Sequence, residues 1–186
     1  MVGASEMKVD KFLSEPIIGI SKCCNDSHHD MHLKGTVSSG LGRAAVFMSQ
    51  SHYQDQFRQI IGATAWPGTL NVHVENNDLC KYIALRQKAG IDTLDLDSNL
   101  MGSVGTIDTS SIEAFRIRGF LREGRSFGGA TAFQAEIYTK KSETIPCAIL
   151  IPDLTRHVEV IEVIADVFLR EELNLEDGST VGLNLL

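Results

Sequence analysis

Residues 113–152 read EAFRIRGFLREGRSFGGATAFQAEIYTKKSETIPCAILIP, and this stretch carries the pattern that decides the fold. Three runs of apolar or alternating residues, at 113–121, 130–139 and 145–152, are separated by short stretches rich in Gly, Ser and Lys. Runs of this length that contain aromatic and β-branched residues predict β-strands. Because no helical pattern lies between them, we expect a mainly β fold, and many short strands with few helices favour a barrel over a βαβ sheet.

The flanking sequence adds strands and short helices to this core. Tyr53, Phe57 and Ile60 repeat at helical spacing, and this helix should end at Gly62. A second helix is predicted over 77–90, capped by Asn77 or Asp78 and ended by Gly90. The segment HLKGTVSSGLG, from His32, is predicted to hold a short strand followed by a turn. The remaining runs are predicted as strands at 45–48, 69–74, 157–165 and 179–186, with a short helix at 168–173.

Composition limits both the domain organisation and the partners. The 186 residues carry a net charge of −7, which disfavours binding to nucleic acid. No apolar run is long enough to span a membrane and no secretory signal is visible, so we expect a cytoplasmic protein. We interpret residues 1–31 as a loosely ordered extension, residues 32–186 as the barrel domain, and residues 91–112 as an insertion within it.

The turn SSGLGRAAVF, residues 38–47, is the first candidate site. Gly40 and Gly42 can adopt backbone angles that expose consecutive N–H groups, and such a nest favours phosphate. Arg43 adds positive charge beside it. Taken alone, G-x-G is more typical of a hairpin turn than of a phosphate site.

Thr69 and Asn71 form the second candidate, because residues i and i+2 at the start of a strand point to the same face. Both present neutral oxygens. Mg²⁺ prefers oxygen ligands and is often completed by substrate phosphates, so the pair is a plausible partial magnesium site. Taken alone, the pair is more typical of turn capping.

Two polar segments near the C-terminus complete the candidates. In FLREELNLEDG, residues 168–178, Glu171 belongs either to a solvated, salt-linked helix or to a site where a carboxylate accepts a proton from a substrate hydroxyl. Thr155, Arg156 and His157 directly follow a predicted strand and form a polar rim. His157 has the chemistry of a general base, but a histidine in this position is usually an ordinary loop residue.

Taken together, four segments resemble one family, the archaeal CTP-dependent riboflavin kinases. They are GTVSSGLGRAAVFM, IIGATAWPGTLNVHV, CAILIPDLTRHVEVIEVIA and LREELNLEDGSTV, in that order, and they lie between Lys34 and Leu186. The resemblance implies a compact cradle-loop β-barrel of the riboflavin-kinase type. It also implies Mg²⁺-dependent transfer of the γ-phosphoryl group of CTP to the 5′-hydroxyl of riboflavin, which gives FMN and CDP.

The resemblance also assigns roles to residues. It implies that Thr69 and Asn71 ligate Mg²⁺, that Thr155 and Glu171 lie at the flavin, and that Glu171 is catalytic. The residues that it implies for nucleotide binding form two turns: Gly40, Leu41, Gly42, Arg43, Ala44 and Ala45 in the first, and Glu176, Asp177, Gly178 and Ser179 in the second.

The first turn departs from the family pattern G-L-G-x-G, since Ala44 replaces the third glycine and Ala45 follows it. A Cβ at position 44 would block a positive φ angle or crowd a phosphate. This departure motivates an alternative function, a non-catalytic sensor that binds flavin or nucleotide on the same barrel.

Overall fold

The computed structural model of the protein describes residues 31–40, 42–91, 98–155 and 157–186. The predicted extension therefore lies almost entirely outside the described residues, as do the predictions for Leu41 and Arg156. The elements, in chain order, are β1 His32–Ser38, α1 Ala44–Met48, α2 Ser51–Ile61, β2 Leu70–His73, α3 Asn76–Lys88, α4 Ser98–Val104, β3 Phe115–Ile117, β4 Phe120–Arg122, β5 Arg125–Phe127, β6 Ala130–Tyr138, β7 Ile145–Pro152, β8 Val160–Ile164, α5 Leu169–Glu172 and β9 Thr180–Leu185.

The strands form a closed antiparallel barrel. Six of them pair in the order β6-β7-β8-β2-β1-β9, and β9 pairs again with β6, which closes the ring. β6 achieves this by sharing one edge between two partners: residues 130–132 pair with β3, and residues 135–138 pair with β9. The mainly β fold and the barrel predicted from the sequence are confirmed.

The barrel interior follows from alternation along the strands. Leu33 and Val37 of β1, Val72 of β2, Ile161 of β8 and Leu183 of β9 are almost fully buried in one cluster. Residues between them, such as those at the even-numbered positions of β1, face outward. Because side chains of a strand alternate with a period of two, one register places the apolar set inside and the polar set outside.

Helix α2 packs on the outside of β6 and β7. Its residues Tyr53, Phe57 and Ile60 are buried against Ala132 and Ala148, both of which are fully buried. Small residues on the sheet allow the helix to approach closely. The predicted end of this helix is confirmed: Gly62 has φ 78° and its N–H donates to the Arg58 carbonyl at 3.1 Å.

Helix α3 is buried on two sides. Tyr82 and Leu85 join the barrel core, while Ile83 and Ala84 face Val104 of α4. The helix begins at Asn76, with Glu75 as its N-cap, so the predicted caps at Asn77 and Asp78 are wrong by two or three positions.

Two strand predictions are wrong. Residues 45–48 belong to helix α1, in which Met48 is buried against α2 and Phe47 contacts Phe127 edge to face at 5.8 Å. The run 113–121 is divided into β3 and β4, and β4 pairs with β5 in a separate hairpin. The tip of this hairpin is a two-residue turn with φ 51° at Glu123 and 72° at Gly124, which produces a tight reversal.

Candidate functional site

The glycine-rich turn joins β1 to α1. Gly42 takes φ 67°, in the left-handed region, and Ala44 is the first residue of the right-handed helix α1. A Cβ at position 44 is therefore compatible with the backbone, and only Gly42 needs glycine's freedom here. Arg43 is exposed and, among the described residues, makes no side-chain hydrogen bond or ion pair.

Thr69 and Asn71 do lie on one face, beside this turn. Asn71 is paired with Ser38 at the end of β1, and its amide packs directly against Gly40. The Thr69 Oγ1 and Asn71 Oδ1 atoms are 3.5 Å apart, which is too long for a strong hydroxyl hydrogen bond. Two cis ligands of an octahedral Mg²⁺ lie about 3 Å apart, given a metal–oxygen distance of about 2.1 Å. The two oxygens therefore fit a shared hard cation after a small adjustment.

The ligand chemistry of this pair is restricted. In the described ranges, no three His, Cys, Asp or Glu side chains converge on a position that could hold a metal ion. Thr69 and Asn71 supply two neutral ligands, so an ion held by this pair would need further oxygens, such as those of water or a bound phosphate. This is the usual pattern for Mg²⁺ at nucleotide sites.

The second predicted nucleotide turn, residues 176–179, is tied to the first. Ser39 Oγ donates to one Asp177 oxygen at 2.7 Å, and Arg170 Nη2 donates to the other at 2.7 Å. Arg170 also donates to the Ser38 carbonyl at 3.1 Å. These hydrogen bonds, first that from Ser39 and then that from Arg170, hold the pKa of Asp177 below its usual value. The tertiary structure thus brings together two turns that are far apart in the sequence.

Backbone hydrogen bonds strengthen the same link. The Gly178 N–H donates to the Val37 carbonyl and the Val37 N–H donates to the Ser179 carbonyl, both at 2.8 Å. Gly178 has φ 88°, which a residue with a Cβ would adopt only with strain.

A small, open pocket lies next to Thr69. Trp66 and Phe168 stand at it as a stacked pair, with ring centroids 5.3 Å apart, and both rings remain substantially exposed. Arg170 also lines the pocket, so the pocket adjoins the Ser39–Asp177 link. Exposed aromatic faces beside a polar rim are suited to stacking against a planar ring.

The two predicted flavin residues are not joined in the structure. Glu171 is an exposed residue of α5, and no hydrogen bond or ion pair among the described residues connects it with Thr155. Thr155 is half-buried and its N–H donates to the Pro152 carbonyl at 3.1 Å, which makes a turn after β7.

Glu162 of β8 is a candidate site residue that the sequence motifs did not single out. It is the cross-strand partner of Asn71, and Asn71 in turn is paired with Ser38, so three polar residues form a row across the sheet. Burial raises the pKa of Glu162, and the nearby His157 partly offsets this rise. The signal that could have found it is a lone acidic residue inside the apolar run VIEVIA. A desolvated carboxylate beside candidate ligand residues is typical of a functional site.

Helices of the described part of the chain are all too short or too polar to cross a lipid bilayer.

Comparison with known proteins identifies similar chains. The family model labelled CTP-dep_RFKase and described as "Domain of unknown function DUF120" matches residues 37–108 and 93–185. A riboflavin kinase of Thermoplasma acidophilum is 32% identical over 153 residues, which is 82% of this chain and 56% of that protein. A riboflavin kinase of Thermofilum pendens is 36% identical, over 84% of this chain and 59% of that protein.

A third relative extends the coverage. The riboflavin kinase of Saccharolobus solfataricus is 29% identical over 86% of this chain and 76% of its own length. The first two relatives are longer, and the chain spans somewhat more than half of their length.

Proposed function

The chain belongs to the family of archaeal CTP-dependent riboflavin kinases, and from this premise we propose that it transfers the γ-phosphoryl group of CTP to the 5′-hydroxyl of riboflavin. The observation that carries the proposal is the convergence at Asn71. Its side chain packs against Gly40 of the glycine-rich turn, faces Thr69 across 3.5 Å, and neighbours the buried Glu162 on the next strand.

In this proposal the two linked turns hold the nucleotide. N–H groups around Gly42 contact the phosphates, and Arg43, which is exposed beside them, contributes positive charge. The pocket at Trp66 and Phe168 accepts the base through stacking. The Ser39–Asp177–Arg170 link keeps the turns at a fixed separation, which supplies positioning, the main protein contribution in phosphoryl transfer.

The Thr69 and Asn71 oxygens would hold Mg²⁺. When bound, the ion neutralises charge on the phosphate oxygens. The protein's own acid–base contribution comes from a carboxylate that orients the ribityl hydroxyl or accepts its proton. Glu171 is the carboxylate implied by the family resemblance, and Glu162 is the one that burial and register place next to Asn71.

The donor and the activity are tested in one assay. The protein is incubated with riboflavin, Mg²⁺ and each of CTP, ATP, GTP and UTP separately, and FMN is measured. We expect FMN with CTP. FMN with ATP alone would keep the kinase and change its donor. Binding of riboflavin without FMN from any nucleotide would favour the sensor, which the two alanines at positions 44 and 45 motivate.

The metal ligands need a separate variant. Thr69→Ala combined with Asn71→Ala removes both oxygens and should abolish Mg²⁺-dependent FMN formation. Leu70, between them, faces the core, so neither substitution touches the barrel interior. An unchanged Mg²⁺ titration in the double variant would remove the metal assignment and leave the kinase proposal standing.

A further inference from the structure

Helix α3 carries a buried arginine. The Arg86 side chain is 2% exposed, and its guanidinium lies 5.8 Å from the centroid of the Tyr82 ring. Among the described residues, no carboxylate lies within ion-pair distance of Arg86. A buried guanidinium without a counter-ion is costly unless its N–H groups find acceptors. The acceptors that it does find therefore indicate what the residue does.

The acceptor lies in the loop between β7 and β8. Arg86 Nη1 donates to the His157 carbonyl at 2.9 Å, across 71 residues of sequence, while its Nε atom has no hydrogen-bond partner within the part of the chain that the structure describes. One hydrogen bond of the buried charge is thus made to the backbone of a loop, and the guanidinium also interacts with the Tyr82 side chain. A charge-assisted hydrogen bond of this kind is stronger than one between neutral groups.

The same loop has a second arginine at its other end. Arg116 makes a bidentate contact with Asp153, whose N–H donates to the Gly129 carbonyl at 3.0 Å. The Arg116 hydrogen bonds lower the pKa of Asp153 and raise that of Arg116. Thr155 lies between Asp153 and His157, so an arginine holds the chain on either side of it.

The rear of the loop rests on α3 and its neighbours. Val158 packs against the cluster that contains Ile83 of α3 and Val104 of α4. The Glu159 carbonyl accepts a hydrogen bond from the Val74 N–H at 2.9 Å. Of these contacts, the hydrogen bond from Arg86 reaches the loop residue nearest to Thr155, because His157 lies only two residues beyond it.

We propose that Arg86 is a positioning residue, which fixes the backbone at His157 and so holds the nearby Thr155, the residue that the family resemblance implies for riboflavin binding. The inference rests on the proposed function for the identity of the ligand, and on the contacts above for the fixing of the loop. A positioning role for Arg86 differs from a purely structural one. Loss of a structural residue would lower the stability of the protein without a selective effect on the binding of one substrate.

The test compares Arg86→Met and Arg86→Lys with a control, Phe57→Leu, which perturbs α2 on the outside of β6 and β7 and touches neither the loop nor α3. Riboflavin affinity is measured by quenching of flavin fluorescence, and KM is measured for riboflavin and CTP. We expect Arg86→Met to weaken riboflavin binding and raise its KM at least tenfold, while the KM for CTP changes less than twofold. Arg86→Lys, which retains one donor, should lie between Arg86→Met and the wild type.

Hydrogen exchange of the amides of residues 154–159 provides a readout that does not depend on activity. Faster exchange in the Arg86 variants, confined to this loop and absent from Phe57→Leu, is expected. If the wild type binds no riboflavin, the proposed function fails, and this exchange result decides the fixing of the loop alone. Unchanged exchange, or an effect on riboflavin equal to that of Phe57→Leu, would overturn the inference. If Arg86→Met does not fold, Arg86→Lys carries the same two measurements.

Discussion

The substitution Gly40→Ala should displace the Asn71 side chain without lowering the stability of the barrel, so it tests the role of Asn71 directly. Gly40 does not use the left-handed region, so alanine is compatible with its backbone. An added Cβ would, however, overlap the Asn71 amide nitrogen and lie 3.4 Å from Asn71 Cγ. Because ordinary carbon contacts are about 3.5–4.0 Å, the amide must withdraw by about 1 Å. The end of an asparagine side chain can do this without disturbing the fold.

The displacement is large for a metal ligand. Metal–ligand distances in a functional site hold to about 0.2 Å, so a shift of about 1 Å removes Asn71 from the coordination of a cation shared with Thr69. Even the loss of a residue that only supports a ligand typically costs about 10–100-fold in metal affinity. We therefore expect the Mg²⁺ concentration that half-activates FMN formation to rise at least tenfold, while the thermal midpoint stays within about 2 °C of the wild type.

Gly124→Ala is the matched control. Gly124 lies at the tip of the β4–β5 hairpin with φ 72° and open space around it, so alanine there costs about 1 kcal/mol of backbone strain but touches no site residue. Its Mg²⁺ midpoint should equal that of the wild type. A Gly40→Ala protein whose Mg²⁺ midpoint stays within twofold of the wild type would refute the reasoning, whatever its stability.

Three further predictions concern the carboxylates. Glu171→Gln should lower turnover more than tenfold with the riboflavin KM within twofold, measured by steady-state kinetics; equal turnover would remove its role as a base. Glu162→Gln should raise the thermal midpoint at pH 7, because a pKa raised by burial means that the charged carboxylate destabilises the fold. This gain in thermal midpoint should vanish below about pH 4, where the carboxyl group is protonated in the unfolded chain as well. A gain that persists below that pH would contradict the burial argument. Asp177→Asn should lower the thermal midpoint at pH 7 and raise the KM for CTP, because a carboxylate with a lowered pKa stabilises the fold above about pH 4. The difference in thermal midpoint between variant and wild type should shrink as the pH falls further. A difference that does not depend on pH would contradict the hydrogen bonds from Ser39 and Arg170.

Local sequence patterns determined much of the barrel. Helical spacing with a terminal glycine located α2, which ends at Ile61 before Gly62, because a helix face and its C-cap are properties of neighbouring residues. Alternation located β2 and β9 for the same reason. The i, i+2 spacing of Thr69 and Asn71 was enough to place their oxygens on one face.

The same local reasoning failed for segments whose conformation depends on residues far along the chain. Residues 45–48 are apolar enough for a strand, yet they form α1, in which Phe47 and Met48 contact residues far along the chain. The run 113–121 looks continuous, yet it is divided at Arg118 and Gly119 into β3, which pairs with β6, and β4, which pairs with β5. Both errors concern segments whose conformation is decided by what they pack against.

The sequence by itself determined most of the strand pattern, the glycine that ends α2 and the family to which the chain belongs. Only the tertiary structure decided which polar groups meet: Ser39 with Asp177 across 138 residues, Arg86 with His157 across 71, and Asn71 with Glu162 through strand register. The physical reason is that periodicity reports which face a side chain occupies. Closure of the barrel sets which faces become neighbours.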